Sequence, residues 1–83
     1  MSVETEQFVK LLSALSVGNC SAVLWAESAV THYASPLVES CRVHLVRHSL
    51  ALGDWDLAAP PTSMLQLAST LQNNLDLRTE SDA

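Results

Sequence analysis

Glycine is nearly absent: Gly18 and Gly53 are the only two in 83 residues. Nucleophile elbows and phosphate-cradling loops need glycine where the backbone turns sharply or approaches a ligand, and the chain holds neither motif. No serine sits in a Gly-x-Ser-x-Gly context, so the expectation is a non-enzyme without a cofactor. Period-two alternation of apolar and polar residues is also missing, and with it the signature of strands. Basic residues number four (Lys10, Arg42, Arg47, Arg78) against nine acidic ones, a net charge of -5. With neither a basic stripe nor an aromatic platform, nucleic acid is not the expected partner. No apolar run approaches the ~20 residues that cross a bilayer, so no membrane association is expected. Cys20 and Cys41 are the only cysteines. They read as reduced thiols behind a polar, acidic N-terminus, MSVETEQ, and the expected compartment is cytoplasmic or nuclear.

Apolar side chains, by contrast, are plentiful. They make up 48% of the sequence while charged residues make up 16%. A chain this short buries only a modest core, so part of that surface is expected to meet a protein partner or a second copy.

The best-delimited element is the helix between Ser35 and Gly53. Ser35 can cap the first amides, Pro36 loses nothing at the first helical position, and Gly53 can take a left-handed turn at the far end. At ~100° per residue its apolar positions fall on two sides. Leu37, Val38, Cys41, Leu45 and Leu52 share one side, with His44 and His48 at its edge; Val43, Val46 and Leu50 form the opposite stripe. Before it, Phe8, Leu11, Leu12 and Leu15 repeat at the spacing of an amphipathic helix over 3–15. Ser16 or Asn19 can cap a second helix over 19–33, with Ala22, Ala26, Ala29 and Tyr33 on one face. Ala34-Ser35-Pro36 is a short link, which makes 19–33 and 36–52 an antiparallel helix pair. Asp54 to Leu57 can form a single turn before Pro60-Pro61 stops it. Thr62 and Ser63 then open a fourth helix with Met64, Leu67, Ala68, Leu71 and Leu75 on one face. The expectation is an all-α bundle of about four helices, a single domain over 1–75 with a polar tail, 76–83, that frays.

Within this frame, Leu15 to Cys20 (LSVGNC) opens one helix and Tyr33 to Cys41 (YASPLVESC) opens the next, with Leu45 and Val46 one turn on. Ala59-Pro60-Pro61 and Met64-Leu65-Gln66-Leu67 follow. Over roughly 15–71 this run resembles the BACK domain, the helical region that follows the BTB domain in substrate adaptors of cullin-3 ubiquitin ligases. The closing helices of BTB domains share the pattern. The resemblance implies a scaffold role in an adaptor, with a cullin-type ligase scaffold as an implied partner. Composition alone leaves the alternative of a small helical homo-oligomer or regulatory subunit.

Cys41, His44 and His48 stand at i, i+3 and i+7, a spacing that can present a sulfur and imidazoles to a metal. The same residues equally suit a buried thiol with histidines at the core's edge, and the expectation is no metal. The candidate partner surface is the Val43, Val46, Leu50 stripe, with Arg42 and Arg47 as its polar rim. Trp55, in a loop between two acids, is a further candidate anchor.

Overall fold

The computed structural model describes residues 3–81, with side chains to residue 76. Four helices follow one another: α1 (Val3–Ser16), α2 (Ala22–Val30), α3 (Pro36–Leu52) and α4 (Thr62–Ser81), and no strand occurs among the described residues. This is the expected all-α class.

The apolar spacing read along the sequence builds the core directly. Phe8, Leu11, Leu12 and Leu15 of α1 are buried, as are Val38, Cys41 and Leu45 of α3 and Met64, Ala68, Leu71 and Leu75 of α4. The most extensive helix contact is between α1 and α4, and α3 packs against both. The α1–α4 pair, not α3, is therefore the centre of the bundle. Gln72 Nε2 donates to Ser13 Oγ at 2.9 Å and ties these two helices at their polar margin.

α1 closes where glycine permits it. Gly18 has φ +70°, its amide donates to the Leu15 carbonyl at 3.1 Å, and the Asn19 amide donates to the Ala14 carbonyl at 2.8 Å. These are the paired bonds of a Schellman ending, which satisfy carbonyls the helix leaves orphaned. The chain then needs three more residues before it turns helical again. α2 is consequently shorter than the expected 19–33, and its cap is Ser21, whose Oγ accepts from the Leu24 amide at 3.1 Å. Ser16 and Asn19 do not cap it; the Ser16 hydroxyl instead donates to the Ser13 carbonyl.

α2 is held to the bundle at its edges. Its alanine face is not the packed one, since Ala22 and Ala26 are exposed, and its only fully buried residue is Ser28. Leu24 and Trp25 lean on the core, and the Trp25 ring meets Trp55 edge to face at 5.4 Å. Contact with α3 completes the pair foreseen between these helices.

α3 begins and ends as its sequence indicates, with one difference. Ser35 Oγ accepts from the Val38 amide and Pro36 occupies the first turn. Gly53 has φ +77° but ψ -142°, so it lies in an extended region open essentially to glycine alone, outside the left-handed helical well. Its amide still donates to the Leu50 carbonyl at 3.2 Å.

Asp56 shapes the link to α4. Its carboxylate accepts from the Ala58 amide and its carbonyl from the Ala59 amide, a turn that ends at Pro60 and Pro61. α4 runs on through Ser81, so the stretch from Asp76 expected to fray continues the helix; residues 82 and 83 lie outside the described ones.

Candidate protein-interaction site

α3 turns two faces in opposite directions, and only one is covered. Val38, Cys41 and Leu45 point into the core. Val43 and Val46 are half-buried and Leu50 is 76% exposed on the other side. α4 approaches α3 at the margin between its two faces, where His48 Nε2 lies 3.2 Å from Ser63 Oγ. The Val43, Val46, Leu50 stripe is thus not roofed over by α4.

An open groove of about 840 Å³ runs along this outer face. Pro36, Ser40 and Val43 give it small and apolar surface, and Glu39, His44, Arg47 and His48 give it polar groups. These positions recur every three or four residues, so a single helix face lines the groove from Pro36 to His48. Val46 and Leu50 stand one turn from Val43 and Arg47 on the same side.

Of the two arginines expected to rim the stripe, only Arg47 does so. It is exposed and makes no ion pair among the described residues. Arg42 is 6% exposed and belongs to the interior. Its Nη1 donates to the Ala29 carbonyl at 2.7 Å, and its Nε and Nη2 each donate to Glu39 at 2.7 Å. The helical wheel places Arg42 beside the stripe, but the last turn of α2, whose carbonyls lack intrahelical donors, draws the guanidinium inward.

Glu39 is the hub of this cluster. Besides Arg42 it accepts from the Tyr33 amide at 3.1 Å, and its Oε2 lies 2.9 Å from His32 Nδ1. The Arg42 hydrogen bonds, then His32 and the Tyr33 amide, hold its carboxyl well below the usual carboxylate range. Arg42 is pushed up in return by the Glu39 hydrogen bonds. A second carboxylate works beside it from another helix. Glu4 of α1 accepts from the Ala34 and Ser35 amides, each at 3.1 Å, and so fastens the start of α3. Glu4 and Glu39 together satisfy three successive amides of the α2–α3 link, those of Tyr33, Ala34 and Ser35. Neither role is visible as a local motif, because Glu4 reaches across some thirty positions of sequence.

Trp55 is also an internal fastener. Its indole N–H donates to Ser49 Oγ at 2.9 Å, and its half-buried ring packs on Trp25, so the loop after α3 is pinned onto α2. The sequence offers Trp55 as a candidate anchor; its ring is half-buried against Trp25. Beside it, a smaller cavity of about 550 Å³ opens between the α1–α2 and α3–α4 links, with Cys20 and Trp55 in its lining. Burial pushes the Cys20 thiol up, away from the thiolate form a nucleophile needs.

Cys41, His44 and His48 do not converge. Cys41 is buried in the core, His44 is exposed, and among the described residues no group of three His, Cys, Asp or Glu side chains is placed to hold a metal. No described helix is long and apolar enough to cross a membrane.

Sequence reasoning passed over one further outward apolar strip. Val23 and Val30 of α2 are 67% and 74% exposed, with Ala26 between them. Alanine suits packed and exposed faces alike, so the Ala22, Ala26, Ala29 face does not announce this strip. This strip lacks the groove and the unpaired cation that accompany the α3 stripe.

No protein-family model, curated protein or solved structure matches the chain.

Proposed function

We propose that this protein is a non-catalytic helical interaction module that binds a protein partner through the outer face of α3. The observation that carries the reading is the double-sided α3. One face supplies three of the core residues, while the other presents Val43, Val46 and Leu50 beside a groove that no described element fills. Leaving apolar side chains in water forgoes roughly 25 cal/mol per Å² of stabilisation, so a face of this kind is accounted for by something that covers it. The resemblance to BACK domains supports placing the module within a ubiquitin-ligase substrate adaptor, where such a helical segment would act as a spacer and contact surface. The buried state and raised pKa of the Cys20 thiol fit a non-catalytic role.

The test is Val46→Asp, followed by light scattering and by binding to a candidate adaptor or ligase scaffold. A carboxylate forced into a desolvated contact is strongly unfavourable, so association is lost while circular dichroism stays helical. Unchanged association in a folded variant contradicts the reading and moves the contact to the Val23–Val30 strip of α2. Unfolding places the stripe inside the bundle and contradicts it as well.

A further inference from the structure

We infer that the α3 groove receives an amphipathic helix whose flank carries carboxylates, and that Arg47 recognises that flank. The inference rests on the reading of α3 as the contact surface and adds the chemistry of what docks there.

Shape is the first argument. The groove follows one helix face for most of the length of α3, about 25 Å at ~1.5 Å per residue. Val43 lines it, and Val46 and Leu50 continue the apolar stripe beside it at i+3 and i+7. A helix laid into such a groove answers with apolar residues at the same spacing.

Charge decides the flank. The chain carries -5 overall, yet the outer face of α3 is depleted of usable negative charge. Its only acid, Glu39, already spends both oxygens on Arg42, His32 and the Tyr33 amide. Arg47 and His44 are exposed and make no hydrogen bond or ion pair among the described residues. An unpaired guanidinium beside an apolar groove offers a bidentate seat to a carboxylate.

The probe is a displayed library of amphipathic helical peptides, with apolar residues fixed at i, i+3 and i+7 and charge randomised on both flanks, selected against the full chain. The expected result is enrichment of Asp and Glu on one flank, with binding by fluorescence anisotropy that weakens at least tenfold on Arg47→Glu and partly on Arg47→Gln. Lysine-substituted versions of the same peptides regain affinity for Arg47→Glu, and circular dichroism confirms that both variants remain folded. Peptides that need Val46 but show no acidic preference, or prefer a basic flank, overturn this inference and leave the α3 contact surface standing. Peptides indifferent to Val46→Asp, or no peptide recovered, overturn both. Self-association that disappears on Arg47→Glu makes a second copy the occupant and overturns the acidic-helix inference.

Discussion

Phe8→Ala lowers the free energy of unfolding by about 3 to 5 kcal/mol, the cost of removing a fully packed aromatic side chain and leaving its cavity. Phe8 is 0% exposed, and its ring meets Tyr33 edge to face at 5.8 Å. It lies on the α1 stripe that packs against α4, and it also reaches the α2–α3 link through Tyr33. Few sites in so small a bundle couple that many elements. For a chain of 83 residues total stability is on the order of 4 to 12 kcal/mol, so this one truncation removes a large share of it. Urea unfolding followed by circular dichroism measures the difference. A cost below ~0.5 kcal/mol, typical of surface positions, would mean that Phe8 is not in the core.

Arg42→Ala is the second large effect, and it carries a pH signature. The substitution leaves the Ala29 carbonyl without its donor, a loss of about 1 kcal/mol or more, and strips Glu39 of its principal partner. α2 then loses its main polar attachment to α3. In the intact protein the Glu39 carboxyl is held below its ordinary value of 4.5, so the folded state favours the charged form more than the unfolded state does. That contribution is fully present above pH ~5 and is lost as pH falls below the unfolded value. The native protein therefore loses stability progressively on acidification, and Arg42→Ala is less stable at neutral pH with a shallower decline in acid. Melting curves collected from neutral to acidic pH separate the two cases. Parallel curves for the native protein and the variant would show that the Glu39–Arg42 pair contributes nothing in solution.

The stripes that build the bundle were readable because their spacing reports burial directly. Phe8, Leu11, Leu12 and Leu15 in α1, and Met64, Ala68, Leu71 and Leu75 in α4, are large or closely spaced apolar residues with polar neighbours on either side. Ser35 and Pro36 mark the start of α3 by chemistry that needs no tertiary partner. α2 was harder for a physical reason. Alanine is compatible with packed and exposed faces alike, so Ala22, Ala26 and Ala29 gave no direction, and Ser21 outcompeted Ser16 and Asn19 because the Gly18 turn uses up the intervening residues. Side chains that reach across the fold were not legible at all. Arg42, Glu4 and Trp55 each look solvent-facing from local sequence, and each is claimed by a group on another element: the Ala29 carbonyl, the Ala34 and Ser35 amides, and the Trp25 ring. Of the candidate site, Val43, Val46, Leu50 and Arg47 keep their outward place, while Arg42 and Trp55 move into the scaffold that positions them.

The functional reading depends on α3 turning its second apolar stripe away from the interior, and the unfolding free energy of Leu50→Asp tests this most directly. Leu50 is 76% exposed, so a carboxylate there stays in water and changes stability by no more than ~0.5 kcal/mol in urea unfolding. Leu45→Asp, one face away and 1% exposed, serves as the internal contrast and abolishes folding. A Leu50→Asp protein that unfolds, or that loses several kcal/mol, would mean that the stripe is packed inside the bundle and would remove the basis for a partner surface on α3.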